Sequence, residues 1–222
     1  MKRRETVPQS TRELTLLIQE GCLVARDAAV NVADFIENSS KMAFLTVKDC
    51  EQELDNIERS VDDKITAAIT EVTEEEARQL LACLKFSTDL ERIGDLTWTA
   101  AKRLQGLTAS LLKEDTADFS AMAKMLEKML DRIRQGFSTH DVECANWVLQ
   151  NDAHINYTCR MVFNRHLEGT KKRDREYSTN LLFVAQAFER AGDHAKNLAE
   201  EIIHLVEGRS LRHEIKRRRP KS

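Results

Sequence analysis

Proline is nearly absent: Pro8 and Pro220 are the only two in 222 residues. Nothing between them interrupts a helical hydrogen-bond ladder. Glycine numbers seven and aromatic residues make up 5% of the chain, and no apolar/polar alternation of the kind strands need competes with a helical reading. No run of about 18 apolar residues occurs, so no membrane-spanning helix is expected. No apolar stretch follows Lys2-Arg3-Arg4, so no secretory leader is expected either. The five cysteines, Cys22, Cys50, Cys83, Cys144 and Cys159, are widely scattered and form no C-x-x-C. They read as buried thiols of a reducing compartment rather than as disulfides or zinc ligands. No G-x-x-x-x-G-K-[ST], no G-x-S-x-G and no Cys–His spacing is present, so neither a phosphate-cradling loop nor a nucleophile with its base is indicated.

What remains is rich in Leu, Ala, Glu, Lys and Arg, all good helix formers. The net charge of −3 supplies no global attraction to nucleic acid. Charge is nevertheless uneven, because Arg209 to Lys221 forms a basic tail. It is expected to be a solvated end rather than a contact for an acidic partner.

Apolar residues recur at helical spacing from Leu14 to Phe35, and Ser10 or Thr11 is the expected cap. A second helix is expected from about Met42 to Ile69, with a core stripe at Leu54, Ile57, Val61 and Ile65. Thr73-x-x-Glu76 reads as a capping box ahead of a third helix ending near Leu104 and Gly106. A fourth is expected from Phe119 to Arg134, capped by Asp115 or Thr116 and stopped at Gly136. Ser138 or Thr139 should open a fifth, ending near Leu167 and Gly169. A polar connection, 170–177, leads to a sixth that stops at Gly208. The expectation is an all-α protein of two tandem three-helix up-down-up bundles. An arm (1–9), a first bundle (10–106), a connector (107–117), a second bundle (118–208) and the tail (209–222) complete it.

Two E-R-x-G-D boxes stand out, Glu91-Arg-Ile-Gly-Asp95 and Glu189-Arg-Ala-Gly-Asp193. Their glutamates, glycines and aspartates are each 98 residues apart. Four residues turn a helix by about 400°, so Glu91 and Asp95 share one stripe, as do Glu189, Asp193 and Asn197. The wheel places these stripes away from the main core, toward the surface. Glu51, Asp55, Glu58 and Asp62 form a further acidic sector, and Asp152 with Asn156 a weaker one continued by Arg160. Carboxylates clustered in this way repel, and a cation such as Mg²⁺, Ca²⁺, Mn²⁺ or iron offsets the repulsion. A glycine inside a helix costs about 1 kcal/mol against alanine, so two at matching places call for close helix approach or room for an ion. His194, Trp98 and Trp147 read as scenery or packing. Glu201-x-x-His204 is a single E-x-x-H pair, half of what a carboxylate-bridged di-iron bundle enzyme requires.

The second box continues as His194-Ala-Lys-Asn197-Leu-Ala-Glu200-Glu201-Ile-Ile-x-Leu-Val-x-Gly208, and together the boxes resemble the PhoU family of bacterial phosphate-regulation proteins. The resemblance spans nearly the whole chain. It implies a six-helix, two-repeat fold and a cytoplasmic, non-enzymatic negative regulator of the phosphate-starvation response. It also implies a homodimer that couples the ATP-binding subunit of the phosphate ABC importer to a phosphate-sensing membrane histidine kinase. Surface metal ions, iron or zinc among them, are implied on E/D-x-x-x-D motifs. Carried over, their ligands are Glu91 and Asp95, and Glu189 and Asp193. Glu51 with Asp55, and Asp152 with Asn156, contribute from adjoining helices. Leu96 and Thr99 stand where the second box has His194 and Asn197, so the two sites are expected to differ, the first being the poorer.

Overall fold

The computed structural model describes residues 9–70, 72–168 and 175–207. The expected arm apart from Gln9, most of the polar connection, Gly169, Gly208 and the basic tail lie outside the described residues. Six helices carry the fold: α1 (Gln9–Asn38), α2 (Lys41–Ala68), α3 (Glu74–Leu104), α4 (Lys113–Thr139), α5 (Val142–Glu168) and α6 (Arg175–Glu207). At 27 to 33 residues each, they extend for about 40–50 Å. No strand occurs among the described residues.

Local chemistry explains most boundaries. The Ser40 side chain accepts from Ala43 N and caps α2. Thr73 and Glu76 form a complete capping box at α3, each side chain bonding the other's backbone N–H. After α3 the chain turns through Gly106 at φ +81°, a left-handed conformation that glycine adopts without penalty. A short 3₁₀ turn, Thr108–Ser110, follows.

Four expected boundaries are corrected. Ser10 and Thr11 lie inside α1, which begins at Gln9. Helix α4 starts inside the expected connector, at Lys113, and Leu112 serves as an N-cap without a side-chain bond. Asp115 is therefore not the cap; it is fully buried and pairs with Arg165 Nη1 at 2.5 Å and His166 Nε2 at 3.0 Å on α5. Gly136 does not stop α4. It is buried within the helix, where an added Cβ would lie 3.0 Å from Cys144 Cβ and 3.1 Å from the Asp141 carbonyl. The helix runs three residues further and ends at His140, which takes the left-handed conformation itself (φ 55°). Asp141, rather than Ser138 or Thr139, then opens α5 by accepting from Glu143 N at 2.9 Å.

Helices α1–α3 form one up-down-up bundle and α4–α6 the other, and the bundles join through α1 on α4 and α3 on α6. Both junctions are antiparallel. Arg26 Nη1 approaches Asp131 at 3.8 Å and Lys124 Nζ meets Glu37 at 2.5 Å between α1 and α4. Lys85 Nζ grips both oxygens of Glu201, at 3.0 and 2.9 Å, between α3 and α6. One apolar core runs through both bundles, with the Phe86 and Phe137 rings 4.6 Å apart. The apolar face of α6 is buried from Leu181 to Ile203, whereas Val206 near its end is 41% exposed. All five cysteines are buried and free. Trp98 packs on Phe44, with ring centroids 5.0 Å apart.

Helix α2 crosses α3 at Gly94. A Cβ there would lie 2.6 Å from Leu54 Cδ1 and 3.6 Å from Glu51 Cα. Helix α5 crosses α6 at Gly192, whose Cβ would meet Ile155 Cδ1 at 3.2 Å and Asp152 Oδ1 at 3.6 Å. At each box glycine, atoms of the neighbouring helix occupy the space that a side chain would need. Gly94→Val is expected to lose about 2–4 kcal/mol in a urea melt, because branched atoms displace the buried Leu54 side chain. An unchanged melt would show that the α2–α3 approach does not depend on this glycine.

Candidate metal centres

The two crossings bring carboxylates together. At the first, Glu51, Asp55 and Glu58 of α2 face Glu91 and Asp95 of α3. Burial, then repulsion from Asp95, Glu58 and Asp55, drives the Glu91 carboxyl up to about 7, with Arg92 opposing. Burial, then Asp55 and Asp95, also raises Glu51 above its ordinary range. Glu91 Oε2 is buried without a hydrogen-bond partner. Arg92 Nε sits 3.3 Å away but is not aligned to donate to it. The Arg92 guanidinium also reaches Asp95 at 3.3 Å.

At the second crossing Asp152 of α5 faces Asp193 of α6. Burial and then Asp152 push the Asp193 carboxyl above its ordinary value, against Lys196 and His194. Asp152 is 5% exposed. Its Oδ2 accepts from Asn156 Nδ2 at 3.0 Å and lies 3.6 Å from Lys196 Nζ. Its Oδ1, beside Gly192, is buried and unpartnered. Glu189 stands further along the seam, where its charge, after burial, helps raise the Cys159 thiol to about 11.

All eight expected ligands therefore lie on two seams, Glu51, Asp55, Glu91 and Asp95 on one, and Asp152, Asn156, Glu189 and Asp193 on the other. The two seams differ in their charge. The first concentrates more carboxylates, whereas at the second an amide and a lysine already serve Asp152. Among the described residues no three His, Cys, Asp or Glu side chains converge closely enough to grip one ion as they stand.

His194, read as scenery, and Asn197, read on the acidic stripe, both make a cross-bundle contact. His194 Nδ1 bonds Asp89 Oδ1 at 2.7 Å, and Asn197 Nδ2 bonds the same oxygen at 3.3 Å. Both therefore tie α6 to α3 across the bundle junction. Asp89 escaped sequence reading because it lies off the box stripe and the residue 98 positions later is Ala187. Glu201, the acid of the lone E-x-x-H pair, is held by Lys85 and His204. Two hollows, of about 280 Å³ beside Trp147 and about 490 Å³ beside Ala117, involve neither box. No described helix is long and apolar enough to cross a membrane.

In the unfolded chain Glu91 ionises near its ordinary value of 4.5, and in the fold at about 7. The fold thus holds this proton more tightly. The resulting stabilisation is complete below 4.5 and is lost as pH rises through 7. In metal-free protein Glu91→Gln should gain on the order of 1–2 kcal/mol over wild type above neutral pH and almost nothing below the ordinary glutamate value. Urea melts with chelator at the two pH values check this, and an equal difference at both would contradict it.

Comparison with known proteins places two matched segments on these two bundles. The family model described as "PhoU domain" matches residues 18–104 and again 119–202. A "Phosphate-specific transport system accessory protein PhoU homolog" of Caulobacter vibrioides is 30% identical over 209 residues, covering 90% of each chain. The protein of the same name from Xylella fastidiosa is 28% identical over 181 residues, 80% of this chain and 77% of its own. The fold is that of the crystal structure of PhoU from Pseudomonas aeruginosa, with a TM-score of 0.82 at 19% identity, covering 90% of this chain and 98% of that one. The phosphate transport system regulatory protein PhoU from Streptococcus pneumoniae also gives 0.82, at 18% identity.

Proposed function

The chain belongs to the PhoU family, and we propose that it is a non-enzymatic accessory of phosphate-specific transport whose two acidic seams bind metal ions. The names of its relatives support the accessory role. The observation that carries the metal reading is like-charge crowding around buried, unsatisfied oxygens, Glu91 Oε2 at one seam and Asp152 Oδ1 at the other. An isolated helix face of solvated acids would show neither.

The donors fit a cation. Glu51, Asp55, Glu91 and Asp95 would hold it at the first seam, and Asp152, Asn156, Glu189 and Asp193 at the second. All are oxygen donors, which suit Mg²⁺, Ca²⁺, Mn²⁺ and iron, with zinc accepting carboxylates as well. A bound cation would supply neutralisation of the clustered charge. Since the acids are not gathered in advance, rotation of half-exposed side chains accompanies binding. Glu91 must give up its proton, so affinity rises as pH rises through about 7.

The reading extends to partners. A cytoplasmic adaptor would meet the ATP-binding subunit of the phosphate importer and a phosphate-sensing histidine kinase, and would restrain the phosphate-starvation response. The alternative, a di-iron-like bundle enzyme, is disfavoured by Glu201, whose carboxylate is committed to Lys85.

Elemental analysis after loading with each metal in turn tests the sites. Wild type should retain at least one ion per chain, and Asp95→Ala together with Asp193→Ala should lose it. Wild type that retains none under any loading would sink the metal reading. Co-purification with the ATP-binding subunit and the kinase tests the adaptor reading separately, and capture of neither would overturn it.

A further inference from the structure

Each acidic seam already holds a cation of the protein's own. At the first, the Arg92 guanidinium lies 3.3 Å from Glu91 Oε2 and 3.3 Å from Asp95 Oδ2. At the second, Lys196 Nζ stands 3.6 Å from Asp152 Oδ2, and its charge bears on Asp193 as well. The two cations do not come from matching places. Arg190 has the place of Arg92 in the second box, yet it is exposed and makes no ion pair among the described residues. Trp98 has the place of Lys196 in the first repeat. Different residues thus give one arrangement, a basic side chain resting on the carboxylates beside each box glycine. Exposure is divided the same way at both. The Arg92 and Lys196 side chains are 52% and 39% exposed, whereas Glu91 and Asp152 beneath them are 12% and 8% exposed.

We infer that Arg92 and Lys196 are exchangeable counter-ions, which occupy the seams when no metal is bound and are displaced by the divalent cation that enters. This rests on the metal reading above and adds to it what regulates loading. Burial decides which partner moves. The carboxylates are held by the helix crossings, while the basic ends already border water and can leave into it. Half-exposed pairs of this kind hold weakly. A divalent ion carries twice the charge and approaches carboxylate oxygens to roughly 2.0–2.6 Å. Ion and base cannot both stay, because like charges about 4 Å apart repel. The two seams resist unequally. The planar Arg92 fork spans two carboxylates, whereas the Lys196 ammonium is a single point of charge. Each tethered competitor therefore sets the concentration at which its seam loads, and each loading releases a basic side chain to the surface of α3 or α6.

Calorimetric titration of the chelator-stripped full chain with Mn²⁺, well above neutral pH, tests this, with Asp193→Ala isolating the first seam and Asp95→Ala the second. Arg92→Gln should tighten the first seam and Lys196→Gln the second, each about tenfold, because a like charge has left the ion's surroundings. Arg92→Lys keeps the charge but loses the fork that spans Glu91 and Asp95, and should fall between. Arg190→Gln removes the same charge from the matching place and should leave both Kd values within about twofold. In wild type, the Arg92 Nε–Hε magnetic resonance signal, identified by its loss in Arg92→Gln, should move as Ca²⁺ is added. Binding by wild type with Kd values unmoved by Arg92→Gln and Lys196→Gln overturns the inference and leaves the metal reading standing. An Arg92 signal that stays still at saturating Ca²⁺ overturns it too. Absence of binding in every one of these proteins overturns both, whereas binding gained only when the tethered cation is removed upholds the inference alone.

Discussion

Close approach of two helices at a glycine is the constraint on which this structure turns. At Gly94 a methyl group would already collide with Leu54, and the Glu51 backbone lies just behind it. Without a side chain in the way, α2 settles onto α3 and carries Glu51, Asp55 and Glu58 against Glu91 and Asp95. Packing energy thus holds like charges at a separation they would not choose. The cost is visible at Glu91, half-buried and with its carboxyl raised to about 7. Gly192 repeats the arrangement with Ile155 and Asp152, more mildly because Asn156 and Lys196 share the load.

The seams hold their geometry because the bundles do not swing. Helices α3 and α6, which carry the boxes, are pinned to each other by Lys85 on Glu201 and by His194 and Asn197 on Asp89. Removing Lys85 would strand the Glu201 carboxylate, whose side chain is only 10% exposed, which is costlier than the pair's net worth. The boxes are therefore set into one continuous core rather than into separate domains.

Much of this was legible in the residues. Proline scarcity and helical spacing announced six long helices, Thr73-x-x-Glu76 marked a start that the structure keeps, and the 98-residue echo located both crossings. The misreadings have physical causes. Gly136 looked like a stop because helix-ending and helix-packing glycines are the same residue in a sequence; only the Cys144 and Asp141 atoms beside it tell them apart. Asp115 looked like a cap because an acid near a helix start is favourable either way, yet its partners, Arg165 and His166, lie about fifty residues on. His194 read as scenery and Asn197 as part of the acidic stripe, yet both bond Asp89 on α3. Such pairings depend on which helix lies opposite, and spacing along one chain does not encode that.

The central claim is that these crossings create cation sites from forced carboxylate proximity. Anomalous diffraction at the manganese edge, from crystals grown with millimolar Mn²⁺ above neutral pH, tests it most directly. The account predicts a peak between Glu51, Asp55, Glu91 and Asp95 and a weaker one between Asp152, Glu189 and Asp193. Manganese ordered elsewhere on the molecule, with both seams empty, would contradict it.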